Sequence, residues 1–139
     1  GVEAIDILLA YKRSLANLHS INMSIIGEKI SNHIPDYKMA ALLGNLLDNA
    51  IENCQNLELD NKWIQVIIRK VGEISLIKIT NPYFQIPQCV NGRLATSKEN
   101  KQIHGIGSRS VQETVKQYGG TITYEYTDGK FCVVVSFFN

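Results

Sequence analysis

Apolar and polar positions along the chain divide it into segments of two periods. Ala4, Leu8, Tyr11, Leu15 and Leu18 recur at i, i+4, i+7 spacing, which predicts an amphipathic helix over residues 3–19. "INMSII" reads as a short strand, after which Pro35-Asp36 offers an N-cap to a helix over residues 37–56. "WIQVIIRKV" and "ISLIKIT" read as two strands joined by a tight turn at Gly72-Glu73. Residues 82–104 show neither period and contain Pro, Asn and Gly, so they are expected to form a long loop, functional or disordered. A helix resumes near Gly107, with Val111, Val115 and Tyr118 on one face and Gly119 as its stop. "TITYEY" and "KFCVVVSFF", joined across Asp128-Gly129, form a terminal hairpin. Strands outnumber crossovers in this order. The expected fold is α+β, a two-layer sandwich whose mixed, mainly antiparallel sheet is covered on one face by helices.

Composition narrows the class without changing that picture. The chain has 139 residues, the size of one domain, and 14 Lys+Arg oppose 13 Asp+Glu. No basic field points to nucleic acid as a partner. Cys54, Cys89 and Cys132 are widely spaced, with no CxxC pair, which argues against a disulfide framework or zinc site and for a reducing, cytoplasmic setting. No apolar run approaches the roughly 18 residues of a membrane span, and the start does not read as a signal peptide. The chain opens on Gly1 in an already helical pattern, as expected of a piece of a longer protein.

The chemistry concentrates in two stretches. "LLGNLLDNAIENC" threads Asn45, Asn49 and Asn53 through a helix whose Leu43, Leu46, Leu47, Ala50 and Cys54 face a core. Asparagine is a mediocre helix former, so a row of three beside a core seam calls for a reason. Amide oxygens there suit a hard cation and amide nitrogens can donate to a phosphate; the bland alternative is ordinary solvated positions. In "HGIGSRSVQETVKQYGG", Gly105, Ile106 and Gly107 precede a helix whose N-terminus could favour an anion, with Ser108 and Ser110 as candidate caps and Ser110-x-x-Glu113 as a capping box. Alone, that pattern is equally a turn followed by a helix start. It is neither a dinucleotide fingerprint nor a P-loop. Asn81 shares a strand face with Ile77 and Ile79, the face expected to be buried.

Together the two stretches resemble the N-box and G2 box of the GHKL ATPases, the superfamily of gyrase, chaperone, histidine kinase and mismatch-repair ATPases. "LLGNLLDNAIE", the lysine-bearing segment ending "HGIG", and "SV...V..YGG" are most similar to the peptide-quorum-sensing class of sensor histidine kinases. The resemblance implies a Bergerat-type fold binding ATP with Mg²⁺. It implies that Asn49 holds the metal and Asn45 helps order metal and γ-phosphate, with Asn53 near the phosphates as the weaker transfer. Asn81 stands where the wider superfamily has the aspartate of DxGxG, which is missing here, and would recognise adenine; the alternative is ordinary turn chemistry before Pro82. Lys98, Lys101, His104, Gly105, Ile106, Gly107 and Arg109 would line the phosphate side, with residues 82–104 as a lid. Residues 1–20 would be a helical connector from the dimerisation domain and 21–139 the catalytic domain. The implied partners are the dimerisation and histidine-phosphotransfer domain of the same protein, a response regulator, and a second copy in a full-length homodimer. The implied setting is the cytoplasmic side of a membrane-anchored sensor. Two rivals stand beside this reading. One is a degenerate module that binds no ATP, and the other is an anti-sigma-type serine kinase, which a first helix packed on the core would favour.

Overall fold

The computed structural model describes residues 2–27, 33–58, 60–83, 89–90, 93–94 and 106–138. The elements run α1 (Val2–Leu18), β1 (Ile21–Gly27), α2 (Asp36–Gln55), β2 (Lys62–Val71), β3 (Ile74–Pro82), β4 (Cys89–Val90), β5 (Arg93–Leu94), α3 (Ile106–Gln117), β6 (Thr121–Thr127) and β7 (Lys130–Phe138). Five strands form one sheet in the order β1-β2-β3-β7-β6. β1 lies parallel to β2 and every other pairing is antiparallel, so the sheet is mixed as expected. β4 and β5 pair separately as two dipeptide strands inside the stretch read as loop. Two paired residues a side carry too little periodicity to show in a sequence.

Alternation along the strands decides which face is covered. Ile64, Val66 and Ile68 of β2, Ile77 and Ile79 of β3, and Val135 and Phe137 of β7 join one buried cluster with the helices. From α2 come Leu43, Leu46, Leu47, Ala50 and Cys54, the face read from the sequence, together with Met39, Leu42 and Ile51. Burying a Leu, Ile, Val or Phe side chain contributes roughly 1.5–3 kcal/mol. A seam this wide therefore fixes α2 across the centre of the sheet.

Two local expectations change. The cap of α2 is Pro35, which makes no side-chain bond, and Asp36 is the first helical residue, where its charge suits the helix dipole. α3 already begins at Ile106, so Gly107, Ser108 and Ser110 lie inside the helix and the caps and capping box expected of the two serines do not form. Its C-terminus is a Schellman motif, with Gly120 N–H donating to Val115 O at 2.8 Å and Gly119 N–H to Lys116 O at 3.1 Å. Gly119 takes φ +69°, which a side chain would disfavour.

α1 packs on the core by a different stripe from the one read in the sequence. Ile5, Leu9 and Ala16 are buried and Leu8 and Leu15 pack beside them, whereas Tyr11 and Leu18 face water. Apolar residues fall on several sides of this helix, so more than one stripe satisfies a 3.6-residue period. Lys12 fixes the crossing by donating to Asp48 Oδ1 of α2 at 2.7 Å.

Candidate functional site

α2 carries the asparagine row along one edge of its buried face. Asn45, Asn49 and Asn53 are all half-buried, and among the described residues none of their amides has a hydrogen-bond partner. Half-buried amides without a partner among the described residues are free to hydrogen-bond to water or to a bound molecule. Glu52 faces water, while Asp48, one turn earlier, is engaged by Lys12.

β3 continues two residues past its expected end and delivers Asn81 into the same region. Period-two alternation turns Asn81 inward with Ile77 and Ile79, and only 2% of it is exposed. Its Nδ2 donates to Pro82 O at 2.9 Å. A carbonyl only accepts, so that bond fixes which end of the amide is nitrogen. Oδ1 is left as a buried acceptor with no partner among the described residues. The feature expected from an isolated asparagine before proline, a solvent-facing turn, is not what forms.

Asn49 and Asn53 of α2 and Asn81 of β3 meet in one cleft. Leu46 and Ala50 line its helix side, Val111 contributes from α3, and Ile79, Val133, Phe131 and Tyr124 form the sheet side. The opening inside is narrow. About 10 Å³ admits the centre of a water-sized sphere, roughly enough for one water. Tyr124 stacks on Phe131 with centroids 6.0 Å apart and planes 26° from parallel. Burial pushes its phenol above the ordinary tyrosine range, opposed by a hydrogen bond from the Gln112 side chain. Tyr83 and Tyr126 extend this aromatic cluster from Phe131.

Not every predicted residue reaches the cleft. Asn45 lies one turn before the lining residues of α2 and is not among them. Arg109 is exposed on α3 and does not line the cleft. Ile106 and Gly107 form the first turn of α3. Lys98, Lys101, His104 and Gly105 lie outside the described residues. Sequence reasoning missed Val111, Tyr124, Phe131 and Val133 as site residues. Their only signal was the inward register of their own elements, and which helix they would face depends on the β3-β7-β6 order. Among the described residues no three His, Cys, Asp or Glu side chains cluster as metal ligands. No helix among them is long and apolar enough to cross a membrane.

A mixed five-stranded sheet lies under helices, with an asparagine-lined cleft between α2 and β3. The GHKL domain model matches residues 35–137, and the chain belongs to that family. It is 28% identical over 96 residues to the sensor histidine kinase DpiB of Escherichia coli K12, covering 66% of this chain and 17% of that protein. It is 33% identical over 89 residues to the sensor histidine kinase CitA of Klebsiella pneumoniae, covering 61% of this chain and 16% of that protein. The chain thus spans about a sixth of the length of these curated relatives. The fold is that of histidine kinase catalytic domains. The nucleotide-free catalytic domain of ThkA superposes with a TM-score of 0.74 at 16% identity, covering 98% of this chain and 90% of that one. AdeS of Acinetobacter baumannii superposes with a TM-score of 0.72 at 14% identity, covering 98% and 63%.

Proposed function

We propose that this chain is the ATP-binding catalytic domain of a sensor histidine kinase, and that the cleft between α2 and β3 receives the nucleotide. The observation that carries the reading is the buried Oδ1 of Asn81 beside the amides of Asn49 and Asn53, none of which has a partner among the described residues. An acceptor in that position complements an exocyclic amino group such as adenine N6 and opposes a carbonyl. The base would then satisfy a buried acceptor, and leaving such a group unsatisfied costs about 1–3 kcal/mol.

The donor set also fits Mg²⁺. An amide oxygen is a hard ligand, and Mg²⁺ commonly takes only one or two protein ligands alongside phosphate and water. Asn49 would hold it, and the bound ion would neutralise phosphate charge. Asn45 and Asn53, one turn to either side in α2, are proposed as donors to phosphate oxygens on the family pattern. Lys98, Lys101, His104, Gly105, Ile106, Gly107 and Arg109 are proposed for the phosphate side on the family pattern. Positioning and charge neutralisation are most of what phosphoryl transfer asks of a protein. The acceptor histidine would lie on a dimerisation domain, residues 1–20 would connect to it, and a response-regulator aspartate would receive the phosphoryl group. A membrane-anchored homodimeric sensor with this domain in the cytoplasm is the corresponding whole protein. "LLGNLLDNAIE", "HGIG" and asparagine at position 81 support the peptide-quorum-sensing class within it.

One observation favours a second reading, a module that binds no nucleotide: the cleft has room for about one water. The amide row weighs against it, because among the described residues these asparagines make no internal hydrogen bond that would account for them. The packing of α1 on the core is the geometry expected of a serine kinase, but both relatives are sensor histidine kinases. Calorimetric titration with Mg²⁺ and a non-hydrolysable ATP analogue tests the proposal. Saturable binding is expected, weakened by Asn49→Ala only when magnesium is present and by Asn81→Ala in its presence or absence. No heat and no thermal stabilisation at millimolar nucleotide would leave the non-binding module.

A further inference from the structure

A planar base cannot enter a cleft that holds about one water unless a lining side chain moves. Leu46, Ala50, Ile79, Asn81, Val111 and Phe131 are all buried, so displacing any of them disturbs the core. The half-buried lining residues are Asn49, Asn53, Val133 and Tyr124. Of these, Tyr124 alone is large and flat. It sits on β6, the edge strand of the sheet among the described residues. Its ring lines the cleft and lies nearly parallel to Phe131, and its phenol is hydrogen-bonded by the Gln112 side chain of α3.

We infer that Tyr124 is a positioning and specificity residue for the nucleotide base: its ring closes the empty cleft, moves aside on base entry, and then forms the aromatic wall against which the base lies. This rests on the nucleotide reading of the same cleft. Asn81 tests the edge of the base by hydrogen bonding, and Tyr124 tests its flatness. The Gln112 bond ties the position of the ring to α3, the helix that follows the glycine pair.

The test is titration of the whole chain with Mg-ADP in wild type, Tyr124→Phe, Tyr124→Leu and Gln112→Ala, with the thermal midpoint of each empty protein measured in parallel. Tyr124→Phe keeps the ring, and its affinity should stay within about twofold of wild type. Tyr124→Leu keeps apolar bulk but loses the π face, and should bind about tenfold or more weakly, as base–aromatic stacking predicts. Gln112→Ala releases the ring without removing it, so its affinity should equal or exceed wild type. Inorganic tripolyphosphate with Mg²⁺, used as a competitor, should displace ADP with the same inhibition constant from the Phe and Leu variants, since it carries no base. Wild-type affinity in a folded Tyr124→Leu would overturn the inference and leave the nucleotide site standing. Equal losses for ADP and tripolyphosphate would also overturn it, because the ring would then be structural. Absence of binding by wild type would overturn the nucleotide reading and this inference with it.

Discussion

The asparagine row makes a prediction with an unusual sign. Replacing Asn45, Asn49 and Asn53 together by alanine should stabilise the empty domain while abolishing nucleotide binding. None of the three amides has a partner among the described residues, so the substitution removes no hydrogen bond that is seen. Alanine is a better helix former than asparagine by up to roughly 0.7 kcal/mol per position, about 2 kcal/mol for the three. The side chains are only half-buried, and losing their contacts should offset about half of that gain. A net gain of about 1 kcal/mol corresponds to roughly 3–5 °C in thermal midpoint for a domain of this size. The assay is circular-dichroism melting without nucleotide, repeated with saturating Mg-ADP. The triple variant should melt higher than wild type when empty, and the order should reverse with ligand, because only wild type gains binding free energy. A fall of more than about 3 °C in the empty triple variant would refute the reasoning, since the amides would then be holding the helix together.

Three further outcomes follow from particular contacts. Asp48→Ala leaves Lys12, whose side chain is 12% exposed, without its 2.7 Å partner at the α1–α2 crossing. The loss should be about 1 kcal/mol by denaturant unfolding, and the double variant with Lys12→Met should recover most of it. Burial pushes the Cys54 thiol up to about 11, from an ordinary value of 9.0. The unfolded thiol ionises first as pH rises, so stability falls from about pH 9 toward 11, by at most about 3 kcal/mol from this group. Cys54→Ala should flatten that slope, and the native thiol should resist alkylation at pH 8 until the protein unfolds. Gly120→Ala would place a Cβ 2.5 Å from Ser136 O, a backbone atom, and 2.5 Å from Phe137 Cδ1. It should destabilise by about 1–3 kcal/mol or more, visible as a lowered urea midpoint.

Much of the site was legible because its main parts are local. The asparagine row and the apolar face of α2 follow from 3.6-residue spacing within one helix. The burial of Asn81 follows from period two within one strand, and both periods are fixed by backbone geometry whatever the sheet order. The stripe on α1 was misread for a related reason. Periodicity shows that a face exists, but only the crossing with α2 selects Ile5, Leu9 and Ala16 over Tyr11 and Leu18. The serine caps failed because Ser108 and Ser110 satisfy a local rule that the earlier start of α3 makes irrelevant.

The chain by itself thus determined which residues present amides and glycines, and on what faces, since those are properties of neighbours in sequence. Only the tertiary structure decided that Asn49, Asn53 and Asn81 share one cleft. It alone decided that Tyr124, more than forty positions further along, lines that cleft. That meeting depends on β7 inserting between β3 and β6, a pairing of distant segments chosen by the packing of the whole core rather than by any local preference.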